Sequence, residues 1–109
     1  MAWLLRDGDV LAAVEVAAGL AERSKGLLGQ ASYEGAMVLP RTRSVHTFGM
    51  RFAVDVAFCD KEMVVVGVAR LQPWRISAPR RGGRSVIEAQ AGAFERWGLR
   101  VGDKLELRG

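Results

Sequence analysis

The fold is indicated most clearly by residues 54–71, which read Val54-Asp55-Val56-Ala57-Phe58-Cys59-Asp60-Lys61-Glu62-Met63-Val64-Val65-Val66-Gly67-Val68-Ala69-Arg70-Leu71. In the first third of this run every second side chain is large and apolar, and the last half is rich in valine. Alternation with a period of two and β-branched residues predict two strands, Val54–Cys59 and Met63–Leu71. A tight turn near Lys61 would join them as a hairpin, although it lacks the glycine common in such turns.

The segment before this hairpin predicts two strands, a helix and a further strand. Trp3–Arg6 and Val10–Ala17 flank the turn-prone Asp7-Gly8-Asp9, which is typical of a hairpin. Leu20–Leu28 places leucines on one side and charges on the other, which predicts a short helix. Ala36–Leu39 is a short apolar strand that Pro40 ends.

The segment after the hairpin begins with a long loop, Gln72–Arg84, which contains two prolines, two adjacent glycines and four arginines. Loops of this length are often functional or mobile. Beyond it, the pattern predicts a strand at Arg84–Ala89, a helix at Ala91–Trp97 that Gly98 closes, and a last strand at Lys104–Leu107.

The chain has 109 residues, a length that suits a single domain spanning residues 1–109. The element pattern predicts a β-dominated α+β fold. We expect a small antiparallel sheet, partly closed into a barrel, with two short peripheral helices covering its openings. Closure of this kind would remove exposed strand edges.

Charge is distributed unevenly along the chain. Residues 41–84 carry nine Arg and Lys against three acidic residues, a local balance of +6, whereas the whole chain has a net charge of +4. A basic middle third attracts phosphates, nucleic acid or acidic partners through a field that salt weakens. The alternative is a solvated arginine-rich surface that keeps the protein soluble.

Several kinds of site are disfavoured. The single cysteine, Cys59, excludes an intramolecular disulfide, and one histidine with scattered acids offers no metal-ligand spacing. The sequence has no phosphate loop, dinucleotide fingerprint or nucleophile-elbow serine. We therefore expect no metal and no cofactor. With no signal peptide or membrane span in the pattern, we expect a cytoplasmic protein that does not contact membranes.

Three ordered segments carry a family resemblance: residues 23–29 with Gly35–Leu39 shortly after, residues 45–60 and residues 86–103. Together they resemble the bacterial and archaeal domain-of-unknown-function family 192 over residues 14–107, and we expect a bacterial source. The resemblance implies a compact β-rich fold with a short helix before the last strand, and it implies no activity. Ala53 stands where that family usually has proline, and His46 where many members have an aromatic residue.

Two residues are candidates for chemistry. His46, the only histidine, could be a partly buried structural imidazole, contact a ligand, or act as a general base that Asp55 orients. Asp55 interrupts an apolar strand, so it could face solvent, pair with Arg51 or an arginine of the Gln72–Arg84 loop, or line a polar pocket. Cys59 would be a nucleophile only beside a base, and a core thiol is the simpler interpretation.

The leading functional hypothesis is a non-catalytic binding module with an arginine-rich concave face. A small anionic ligand or an acidic protein surface would dock between the Arg41–Arg51 segment and the Gln72–Arg84 loop. The alternatives are a small hydrolase or isomerase that uses His46 with Asp55, and weak, non-specific nucleic-acid binding, for which Trp74 could stack on a base. The candidate binding residues are Arg43, His46, Thr47, Arg51, Asp55, Arg75 and Arg81. No catalytic residue is assigned, and whether the protein is an enzyme stays open.

Overall fold

A computed structural model describes residues 2–17 and 31–109 of the chain. These residues form seven strands and one short helix, in the order β1 (Ala2–Arg6), β2 (Asp9–Val16), β3 (Ala36–Pro40), β4 (Val54–Cys59), β5 (Val65–Leu71), β6 (Ser85–Gln90), α1 (Ala93–Trp97) and β7 (Glu106–Arg108). The expectation of a β-dominated fold is confirmed. The predicted helix Leu20–Leu28 lies outside the described residues.

All seven strands belong to one sheet, in the order β5-β4-β6-β3-β2-β1-β7. The sheet is mixed, because β2 and β3 run parallel while the other neighbours run antiparallel. The prediction of a purely antiparallel sheet is wrong at this one pair. Residues 17–35 separate the two strands, and a connection of that length permits the crossover that parallel neighbours need.

The sheet is not closed into a barrel, and β5 and β7 are its two edges. An isolated bridge between Val64 and Lys104 joins the segments that precede these edge strands. The Leu105 N–H also donates to the Met63 carbonyl at 2.9 Å. The predicted partial closure is therefore not confirmed, although these contacts occupy backbone groups that an open edge would expose.

The two predicted hairpins are confirmed, and each turn has an identifiable cause. Asp7 and Gly8 both have positive φ, of 53° and 83°, as the preferred two-residue hairpin turns require. The turn between β4 and β5 uses the Asp60 side chain instead of a glycine. Its Oδ1 accepts the N–H groups of Glu62 at 2.8 Å and Val64 at 3.0 Å. This aspartate-stabilised turn explains how the hairpin closes without glycine.

Apolar side chains form a core on both faces of the sheet, and β4 contributes to each. Ala57 and Cys59 belong to a first cluster, which α1 covers through Phe94. Val56 and Phe58 belong to a second cluster, which includes buried residues of the 45–52 segment. All six residues of β4 are buried, which explains the nearly continuous apolar character of the strand.

No helix among the residues described is long and apolar enough to cross a membrane.

Candidate anion-binding site

Two irregular segments, residues 43–47 and residues 75–80, lie side by side and form what we call the connecting ribbon. The Arg80 N–H donates to the Arg43 carbonyl at 2.9 Å, and the Ser77 N–H donates to the Val45 carbonyl at 2.8 Å. An antiparallel bridge pairs His46 with Ile76. Hydrogen bonds thus connect the long loop after β5 to the arginine-bearing segment before β4.

Thr47 holds one end of the connecting ribbon together and is fully buried. Its hydroxyl donates to the Gln72 carbonyl at 2.6 Å and accepts the Arg75 N–H at 2.9 Å. Its backbone carbonyl also accepts the Trp74 N–H at 3.0 Å. Thr47, predicted as a candidate binding residue, therefore connects the two segments through its own hydrogen bonds.

The other end of the connecting ribbon opens into a depression of about 500 Å³, which we call the arginine hollow. It is lined by Arg41, Arg43, Gly82, Gly83 and Arg84. The three arginines come from two segments that are about forty residues apart in sequence. A hydrogen bond from the Thr42 N–H to the Arg84 carbonyl, at 3.1 Å, joins these segments. Arginine is the residue type whose guanidinium group best matches phosphate or carboxylate oxygens.

Backbone conformation shapes the arginine hollow. Arg41 has a φ of 52° and Gly82 a φ of 81°, both in the left-handed region. Glycine adopts this region easily, but arginine does so at a cost of about 1 kcal/mol. Strained residues of this kind concentrate at functional sites, so Arg41 marks the hollow as a candidate.

The predicted arginine donors do not all converge on this hollow. Arg43 lines it, whereas Arg81 lines a separate depression of about 570 Å³ together with Arg80 and Phe58. Arg75 is exposed beside Trp74, at the opposite end of the connecting ribbon, and Arg51 is also exposed. Arg41 and Arg84 line the hollow instead of Arg51, Arg75 and Arg81. The two adjacent glycines before Arg84 were the sequence signal for a close turn at this place.

His46 lies in an aromatic group at the Thr47 end of the connecting ribbon. Its ring stacks on Phe48, with the ring centroids 4.8 Å apart, and Phe48 in turn lies 6.1 Å from Trp74. His46 Nδ1 accepts the Phe48 N–H at 3.2 Å, which orients the imidazole. We call His46, Phe48 and Trp74 the aromatic shelf.

Asp55 lies on the other face of the sheet and does not form the predicted pair with His46. Its carboxylate accepts hydrogen bonds from Arg70 Nε at 2.9 Å, from the Gly92 N–H at 2.9 Å and from the Phe94 N–H at 3.2 Å. The expected arginine partner is thus present, but it is Arg70 of β5 and neither Arg51 nor a loop arginine. Because these contacts orient Asp55 toward α1, the general-base arrangement with His46 has no geometric support.

Cys59 is fully buried in the first apolar cluster. Burial raises the pKa of its thiol to about 12, with a smaller contribution from the negative charge of Asp60. A thiol in such surroundings stays protonated at neutral pH and is a poor nucleophile. Within residues 2–17 and 31–109, no three histidine, cysteine or acidic side chains are grouped so that they could hold a metal ion.

Comparison with known proteins identifies the family. The sequence profile of family 192 of the domains of unknown function, described as Uncharacterized ACR, matches residues 3–107. The chain belongs to this family.

A UPF0127 protein of Pyrococcus abyssi is 37% identical over 98 residues, which span 85% of this chain and 84% of the relative. A UPF0127 protein of Pyrococcus horikoshii is 36% identical over 98 residues, 85% of either chain. These relatives are archaeal, so the expected bacterial source is not confirmed.

Two crystal structures share the fold. A protein of unknown function from Novosphingobium aromaticivorans superposes with a TM-score of 0.77 at 23% identity, covering 96% of this chain and 82% of that one. A Sinorhizobium meliloti protein described as a "putative transcription regulator" superposes with a TM-score of 0.78, also at 23% identity, covering 96% of this chain and 90% of that one. At this identity the likeness shows the fold alone.

Proposed function

We propose that this protein is a binding module that captures an anionic group in the arginine hollow. The occupant would be a phosphate or carboxylate, carried by a small molecule or by an acidic protein surface. The observation that carries the proposal is the grouping of Arg41, Arg43 and Arg84 around one hollow, from two segments that the fold brings together.

The charges support this choice. Within residues 2–17 and 31–109, no carboxylate lies within 4.0 Å of a guanidinium nitrogen of Arg41, Arg43 or Arg84. Neighbouring cations without a counter-charge repel one another, and an incoming anion relieves that repulsion. The planar guanidinium fork also matches two oxygens of a phosphate or carboxylate at once.

The size of the hollow agrees with a small ligand. Its volume of about 500 Å³ is within the range of small-molecule sites, which is roughly 300–1,000 Å³. Three of the five residues that line it are arginines, and the other two are glycines. Affinity should therefore depend on charge and fall as salt increases.

A thermal-shift series tests the proposal. Orthophosphate, pyrophosphate and citrate would be added at matched ionic strength to the wild-type protein, to the double variant Arg43→Ala/Arg84→Ala and to the control Arg100→Ala, which loses a charge in the loop before β7. A ligand at about ten times its dissociation constant adds about 1.4 kcal/mol of stability, which raises the melting temperature of a domain this size by roughly 5–10 °C.

The double variant should lose this rise and the control should keep it. Phosphate also stabilises proteins in general by exclusion from their surface, so the difference between the variants is the decisive quantity. Equal rises in wild type and double variant would show that the hollow binds none of these anions, and the proposal would be wrong.

A further inference from the structure

The aromatic shelf contains two large aromatic side chains that are exposed to solvent. Trp74 is 64% exposed and Phe48 is 45% exposed. The planes of His46 and Phe48 differ by 22°, and those of Phe48 and Trp74 by 30°. His46 already covers one face of Phe48, so Trp74, the most exposed of the three, is the ring on which another flat ring can stack.

The backbone holds the shelf in place under strain. Trp74 has a φ of 63°, in the left-handed region that bulky residues avoid. The hydrogen bonds of Thr47 to the backbone of Trp74 and Arg75 fix this conformation. A large aromatic residue that is both strained and exposed is a feature that stability alone does not favour.

The connecting ribbon links the shelf to the arginine hollow. Arg43 lines the hollow and Thr47 anchors the shelf, so the Cα atoms of these two residues are at most roughly 14 Å apart. A single strand of nucleic acid has a phosphate for each rise of about 3.4 Å in a stacked helix. A few nucleotides therefore suffice to reach from one place to the other.

We propose that the aromatic shelf and the arginine hollow together bind a short single-stranded nucleic acid. A base would stack on Trp74, while a neighbouring phosphate enters the hollow. The phosphate half of this inference rests on the proposed function, and the stacking half rests on the shelf alone. The local charge of residues 41–84, nine basic against three acidic residues, complements a polyanion.

Other occupants fit these observations less well. A neutral sugar would stack on the rings but would have no use for the guanidinium groups. An acidic peptide would meet the arginines but offers few flat rings to Trp74. A nucleic acid supplies both, and stacking on a ring face tolerates every base, so binding should show little sequence preference.

Fluorescence anisotropy with two labelled probes separates the two halves of the inference. One probe is an oligothymidylate of about ten nucleotides, and the other is an abasic strand with the same number of phosphates. Both would be titrated at about 20 mM and about 200 mM salt, because phosphate-driven binding weakens steeply over that range. The variants are Trp74→Gly, Trp74→Phe and Arg43→Ala/Arg84→Ala, with Trp3→Ala as the control for loss of an exposed tryptophan on β1.

Trp74→Gly is chosen because glycine adopts a φ of 63° without strain, so the variant should fold. It should weaken oligothymidylate binding by about fivefold or more and leave abasic binding unchanged. Trp74→Phe should retain most of the affinity, and Trp3→Ala all of it. The double arginine variant should weaken binding of both probes equally.

Equal affinity of the wild-type protein for the two probes, or no effect of Trp74→Gly, would overturn the stacking while leaving the arginine hollow intact. If neither probe binds at low salt, the inference is wrong. The thermal shifts with orthophosphate and pyrophosphate then decide the proposed function separately.

Discussion

Asp55 and Arg70 face each other across the β4–β5 ladder, and their side chains form an ion pair with 2.9 Å between Oδ1 and Nε. The second oxygen of the same carboxylate accepts the Gly92 and Phe94 N–H groups at the start of α1. Asp55 is buried and Arg70 is half exposed. The acid that interrupts the apolar pattern of β4 therefore joins two strands to the helix, and its role is structural.

We predict that Asp55→Ala is much more destabilising than Arg70→Ala. Removing the carboxylate leaves two backbone N–H groups near the core without their acceptor, and the expected loss is about 3 kcal/mol. Removing Arg70 leaves Asp55 with both backbone donors, and the exposed guanidinium was already screened by water. Urea unfolding of the two variants measures this difference, and equal losses would show that the ion pair, and not the link to α1, carries the stability.

We predict that Thr47→Val destabilises the protein by about 1–3 kcal/mol, because valine keeps the shape of the buried threonine but leaves the Gln72 carbonyl and the Arg75 N–H without the hydroxyl. Thr47→Ser retains the hydroxyl and should lose less. Denaturant midpoints measure both. If Thr47→Val and Thr47→Ser were equally stable, the methyl group of Thr47 would matter more than its hydrogen bonds.

We predict that stability falls as pH rises above about 9, because burial raises the pKa of both Cys59 and Tyr33 to about 12. Above the ordinary pKa of each group the unfolded chain loses a proton that the folded chain keeps, so the unfolded state gains stability until the pH reaches the folded pKa. Each group adds a slope of at most about 1.4 kcal/mol per pH unit. Cys59→Ala should make the loss between about pH 9 and 11 shallower in chemical unfolding, and an unchanged slope would contradict the burial of the thiol.

We predict that Gly35→Ala destabilises the protein more than Gly102→Ala does. Both glycines have a positive φ, of 84° and 98°, so alanine is strained at either position by about 1 kcal/mol. A Cβ at Gly35 would also lie 2.8 Å from the backbone oxygen of Ala13, whereas one at Gly102 would meet open space. Thermal melts of the two variants isolate the contact, and similar melting temperatures would show that β2 shifts at little cost.

The strands could be predicted from the sequence because alternation and β-branched residues report local burial. The strand that runs from Val54 to Cys59 was predicted with its observed bounds, and others differ by one or two residues at an end. The pairing of Asp55 with Arg70 depends on the register, because a tight turn centred on Lys61 would place Asp55 opposite Gly67, whereas the observed ladder, with an irregularity between Phe58 and Cys59, pairs it with Arg70. We instead sought the partner in Arg51 or in the long loop, which carries four arginines.

Features set by the path of the chain could not be predicted in the same way. Whether β2 and β3 run parallel depends on the long connection between them, and no local pattern encodes that choice. The arginine hollow depends on the left-handed turn at Arg41 and on the pairing of residues 43–47 with residues 75–80. Composition indicated an arginine-rich surface, but only the backbone shows which guanidinium groups share a hollow.

Binding of an anion in the arginine hollow is tested most directly by an NMR titration of the ¹⁵N-labelled protein with pyrophosphate at about 50 mM salt, where charge-driven binding is still strong. We predict saturable shifts concentrated at the backbone amides of residues 41–43 and 82–84, which Arg43→Ala/Arg84→Ala abolishes and Arg100→Ala preserves. Shifts that do not saturate, or that occur mainly elsewhere on the sheet, would contradict a binding site in the hollow.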